Sequence, residues 1–105
     1  MRRGTTPTII IRVIGTTFEG SKLFVTLEQK NTELTKSGED VIVTPGDNSA
    51  VVELYLTQAE TLAFSKGPAS IQIRWINSAG VAQASPIKNI DIDPILLEGE
   101  ISYGD

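Results

Sequence analysis

Apolar residues recur at every second position along most of this chain, in short segments parted by turn-forming residues, and few architectures accept that period. Residues 22–29 place Leu23, Val25 and Leu27 on one face. Residues 51–56 turn Val52, Leu54 and Leu56 inward, with Glu53 and Tyr55 outward. The cleanest segment is 70–76, where Ile71, Ile73 and Trp75 face in and Gln72 and Arg74 face out. A polar arm, Arg2-Arg3-Gly4-Thr5-Thr6-Pro7-Thr8, feeds a first strand at Ile9-Ile10-Ile11-Arg12-Val13-Ile14. Asp40-Val41-Ile42-Val43-Thr44 runs into the turn Pro45-Gly46-Asp47-Asn48, and two further strands span 81–84 and 87–92. Asn77-Ser78-Ala79-Gly80 joins 70–76 to 81–84 as a hairpin. The expected fold is all-β: a single antiparallel β-sandwich of about seven strands. Its expected core is Ile9, Ile11, Leu23, Val25, Leu27, Val43, Val52, Leu54, Leu62, Phe64, Ile71, Ile73 and Trp75.

One segment breaks the rule. Thr57 and Glu60 have the spacing of a capping box, and Gly67-Pro68 supplies a stop. This predicts one short helical crossing over residues 58–64, a connector in which Leu62 and Phe64 plug one end of the core.

A length of 105 residues fits one domain, 1–105, with an arm at 1–7 and a tail at 95–105. The chain has no cysteine, so no disulfide staples it, and no histidine. Ser-His and Cys-His nucleophiles, histidine-ligated metals and a histidine pH switch are thereby excluded. Carboxylates remain. Asp91/Asp93 and Glu98/Glu100 stand at i and i+2, the spacing of two oxygen ligands on one face, but without the acid-dense loop of a dedicated Ca²⁺ site. A solvated strand face is the reading adopted for both pairs. Trp75 is read as core rather than as a sugar platform, because Ile71 and Ile73 share its face. The expectation is therefore no enzyme, no catalytic residue, no metal and no cofactor.

A net charge of −4 with no basic stripe disfavours nucleic acid. Met1-Arg2-Arg3 resembles the start of a secretion signal, but the apolar run that follows is short and interrupted by Arg12, and no segment is long enough to cross a membrane. A soluble protein made in the cytoplasm, with no membrane partner, is expected.

Charge is distributed unevenly. Arg2, Arg3 and Arg12 stand at the start without an acid; Asp91, Asp93, Glu98, Glu100 and Asp105 stand at the end without a base. After Pro94, which should end the last strand, Ile95, Leu96, Leu97, Ile101 and Tyr103 are more apolar than a free tail sustains. Such a tail either folds back or adds a strand to a neighbour's open edge, with the arginines meeting Glu98, Glu100 and Asp105. The intermolecular arrangement is the expectation, and with it a possible homo-oligomer.

Several blocks carry a wider likeness: Arg3-Gly4-Thr5-Thr6-Pro7-Thr8, then Leu56-Thr57-Gln58-Ala59-Glu60-Thr61-Leu62-Ala63-Phe64, Ile71-Gln72-Ile73-Arg74, Gly80 and Ala84-Ser85. In this order they resemble small proteins of about this length from phage and prophage structural gene clusters of Gram-positive bacteria. The arm and first strand also resemble the N-terminal β-sandwich domain of siphophage upper baseplate proteins. The resemblance implies a structural or adaptor module of a phage-like particle, in tail or baseplate assembly. It would act by docking on other phage structural proteins and be found in the virion or host cytoplasm. It carries over no catalytic residue. The alternative from the residues alone is a non-catalytic module binding a carbohydrate or small molecule, which calls for an exposed Trp75 or Tyr55 beside a concave polar site.

Overall fold

A computed structural model describes residues 1–104, and it is a two-sheet antiparallel assembly of eight strands. The strands are β1 (Thr8–Ile14), β2 (Ser21–Gln29), β3 (Thr32–Ser37), β4 (Val41–Gly46), β5 (Ser49–Tyr55), β6 (Gly67–Asn77), β7 (Ala82–Ala84) and β8 (Lys88–Ile92). A helix α1 (Gln58–Leu62) joins β5 to β6, and a 3₁₀ turn, Gly38–Asp40, joins β3 to β4. The smaller sheet has the order β1-β5-β4; in the larger, β3-β2-β6 continues into β7 and β8, which share one side of β6.

Register explains why the alternating pattern folds this way. Across the smaller sheet Ile9, Leu54 and Val41 align, as do Ile11, Val52 and Val43, all on the inner face. Across the larger sheet Leu23 faces Trp75, Val25 faces Ile73 and Leu27 faces Ile71. Slipping any strand by one residue would turn these rows to solvent, so burial fixes the register. Val25, Leu27, Val52 and Leu54 are fully buried, and Leu23, Phe64, Ile71 and Ile73 complete the centre of the expected core. Ile9, Ile11, Val43 and Trp75 are half-buried against it.

Three features depart from the sequence reading. β3 was not expected, because Leu34 is the only large apolar residue in Thr32–Ser37; it forms by pairing with β2, Leu34 opposite Leu27. Leu62 is half-buried and lies outside the central cluster, while Phe18, Ala50, Ala69 and Ile92 lie inside it. Phe18 holds φ 60 in the β1–β2 loop and meets the Trp75 ring edge-on at 5.0 Å. The helix ends at Leu62, short of residue 64, and Gly67 and Pro68 already belong to β6. The capping box forms as expected: Glu60 N–H donates to Thr57 Oγ1 at 3.1 Å and Thr57 N–H to Glu60 Oε1 at 2.8 Å.

Candidate docking surface

The site is built from what the sheets leave uncovered. On β1 the even positions point away from the core: Ile10 is 63% and Ile14 76% exposed, with Thr8 and Arg12 beside them. Their row continues across β5 and β4, where Tyr55 is 53% and Ile42 44% exposed. Ile10, Glu53 and Ile42 align in one row, and Arg12, Val51 and Thr44 in the next. The outer face of the smaller sheet is thus an exposed apolar surface threaded with single charges, the kind that marks an interaction site. Tyr55 hydroxyl donates to Glu53 Oε2 at 3.4 Å on the same face.

The phase of the backbone is fixed by the bonds that flank β1. Leu56 N–H donates to Pro7 O at 3.1 Å and Gly15 N–H to Asn48 O at 2.8 Å. Odd-numbered residues of β1 therefore turn both backbone groups toward β5. Thr8, Ile10, Arg12 and Ile14 turn theirs outward, to an edge with no strand partner. Below that edge lies a groove of about 410 Å³ between the two sheets, floored by Ile11, Val13, Ile71 and Ile73. It opens because β8 stops pairing with β6 at Ile71 and β7 starts only at Arg74. Ser85 bridges the gap: its N–H donates to Ile73 O at 2.8 Å and its Oγ accepts from Ile73 N–H at 3.0 Å.

The two ends of the chain meet elsewhere. Arg3 N–H donates to Asp93 O at 3.0 Å, and Asp93 N–H to Met1 O at 2.7 Å. The Arg3 guanidinium bonds Glu98 through both carboxylate oxygens, at 2.6 and 2.9 Å, and also donates to the Leu62 and Phe64 carbonyls. Arg2 Nη1 donates to Pro94 O at 2.6 Å. Further along, Gln58 clasps the Ile101 backbone, accepting from its N–H at 2.8 Å and donating to its carbonyl at 3.0 Å. The expected arginine–carboxylate contact thus forms within one chain for Arg3 and Glu98. Arg12 takes no part, because its even position puts it on the outer face of β1. Asp105 lies outside the described residues.

The remaining sequence candidates are dispersed. Asp91 and Asp93 are exposed around the end of β8, where Asp93 Oδ2 lies 4.0 Å from Met1 N. Among the described residues no group of three or more carboxylate-type ligands is placed to hold a metal ion. Trp75 faces the core and donates its indole N–H to Gln83 Oε1 at 3.0 Å. Burial would push the Glu60 carboxyl up, but the Lys36 ammonium at 2.7 Å and the Thr57 backbone N–H outweigh it and hold Glu60 below its ordinary range. Glu60 serves the helix cap, a structural task. Among the described residues no helix is long and apolar enough to cross a membrane. The β-branched run Ile9-Ile10-Ile11 revealed a strand, but its place at an edge depends on contacts with distant β5 and was not readable locally. The chain matches no protein-family model and no curated protein.

Proposed function

We propose that this protein is a structural docking module, acting in the assembly of a phage-like particle through the outer face and open edge of its β1-β5-β4 sheet. The observation that carries the docking reading is that face: Ile10, Ile14, Ile42 and Tyr55 stand exposed together on one sheet. A solvated face of an antiparallel sheet is ordinarily polar, so a surface of this composition suits contact with another protein. The phage-like setting rests on the resemblance of the sequence blocks. The inward direction of Trp75 also favours docking over carbohydrate binding, since the single tryptophan is spent in the core.

The test is co-expression with the products of the genes flanking its own. A tail or baseplate protein among them should co-purify with the chain. The double variant Ile42→Lys/Tyr55→Lys should lose that partner while its circular dichroism is unchanged, because both side chains point to solvent. Unaltered co-purification of the variant would remove this face from the interface. A flanking carbohydrate-utilisation locus, together with glycan capture abolished by Tyr55→Ser, would replace the docking reading by ligand binding.

A further inference from the structure

We infer that residues 96–103 of one copy add a strand to the open β1 edge of a second copy, filling the groove beneath it. This deepens the docking reading by naming one partner, a second copy of this chain.

Three observations converge. The first is that β1 is the longest and most apolar of the sheet edges, with Arg12 its one charge. Natural sheets blunt their edges with proline, charge or brevity. β4 carries Pro45, β3 an inward-side Lys36, β7 is three residues long, and β8 lies between Pro86 and Pro94. β1 is seven residues, five of them Ile or Val, with no proline and with four residues' backbone groups unpaired.

The second is the pattern of the donor. In extended form Leu97, Gly99, Ile101 and Tyr103 fall on one face and Leu96, Glu98, Glu100 and Ser102 on the other, so from residue 97 onward the large apolar side chains keep to one face. That is the alternation of a half-buried strand, yet in the single chain the segment forms no strand. Leu97 is 72%, Ile101 63% and Tyr103 108% exposed. Ile95 stays half-buried on its own chain against Gly4, so the donated segment begins after it.

The third is charge. The groove lining includes Arg12 and Lys88 and no acid. The donor carries Glu98 and Glu100 and no base. With the apolar face of the donor on Ile11, Val13, Ile71 and Ile73, its glutamates lie on the outer side, beside Arg12. What the donor gives up at home is an ion pair whose glutamate is exposed, Arg3–Glu98, and the Gln58 clasp on Ile101. A contact of this kind joins two different surfaces, so copies either exchange segments reciprocally about a two-fold axis or propagate into rings or filaments.

Sedimentation equilibrium of the full chain over a concentration series tests this. Weight-average mass should rise with concentration, and less steeply as salt is added. Leu97→Ser/Ile101→Ser removes the apolar face of the donor and should weaken association at least about tenfold. Ile10→Pro removes an outward N–H from the acceptor and should do the same. Circular dichroism and melting check that each variant is folded. Mixing the two decides the geometry: one keeps a sound donor and the other a sound acceptor, so together they should form a one-to-one pair that neither forms alone. A wild-type chain that stays monomeric to about 1 mM overturns the inference. So does a donor variant that associates like wild type, which would assign the edge to a second β1, and so does a mixture that remains monomeric. None of these outcomes bears on co-purification with a flanking gene product, which tests the docking reading separately.

Discussion

Arg3 shows how one side chain can organise an end of a small fold. Its guanidinium reaches the carbonyls of Leu62, the last residue of α1, and of Phe64 just beyond it, and also the Glu98 carboxylate. Carbonyls at a helix end have no intrahelical partner, and a cation there meets the negative end of the helix. Arg3→Ala should cost about 1.5–3 kcal/mol, the range for a hydrogen bond to a charged group. Arg3→Lys should recover little of it, because an ammonium lacks the planar fork that reaches two carbonyls and a carboxylate at once. Chemical denaturation of both variants measures this; equal stability of Lys and Arg at this position would reduce its role to charge. Glu60 gives a pH-dependent counterpart. Its carboxyl is held below its ordinary value of 4.5, so the folded state favours the charged form. The sign follows: the Glu60–Lys36 contact stabilises fully above about pH 4.5 and fades as pH falls through the lowered value. The melting temperature of wild type should exceed that of Glu60→Gln at pH 6 to 7, and the gap should narrow as pH falls below 4.5. A gap independent of pH would mean that the ion pair contributes nothing.

Among the elements, β1 makes the sharpest prediction, because its two backbone faces have opposite fates. Proline at Ile10 removes an N–H that points to the open edge, and edge strands tolerate that. Proline at Ile11 removes one that points to Val52 on β5. Ile11→Pro should therefore lower stability by about 1–3 kcal/mol more than Ile10→Pro. Thermal melts of the two decide it, and equal losses would mean that the phase of β1 is reversed. This phase follows from register, and register was legible in the sequence wherever one face is continuously apolar, as at Leu23, Val25 and Leu27. The helix was legible too, since a capping box is chemistry between near neighbours. β3 was not. Thr32–Ser37 has one apolar contact to offer, Leu34 on Leu27, and holds its place through the β2 ladder and the reach of Lys36 to Glu60. Those are tertiary gains that local pattern does not encode. The groove beside β1 was hidden for the same reason, its floor coming from β1 and β6, far apart in sequence.

At the scale of the whole molecule the domain is elongated, 47 × 30 × 21 Å, with a radius of gyration of 15.1 Å. A compact chain of 100 residues has about 13 Å. Part of the difference is the segment after β8, which crosses the arm without joining either sheet. Its hold on the body is graded. Ile95 is half-buried, and Gly4, at φ 70, comes so close that an added Cβ would stand 2.9 Å from Ile95 Cδ1. Beyond it the contacts are an ion pair whose glutamate is 62% exposed and the single clasp of Gln58. Solvent-exposed pairs contribute about 0–1 kcal/mol, whereas burying one aliphatic side chain contributes about 1.5–3 kcal/mol when complete. Deleting residues 96–105 should therefore cost less than about 1 kcal/mol, a few degrees of melting temperature in a domain this size. Deleting 94–105 also removes Ile95 and the Pro94 carbonyl that accepts from Arg2. It should melt lower still, by about 4–8 °C for each further kcal/mol. Calorimetry at a concentration where the chain is monomeric compares the two truncations. Identical melting would show that Ile95 is no anchor and that the segment is held, if at all, by the polar contacts beyond it.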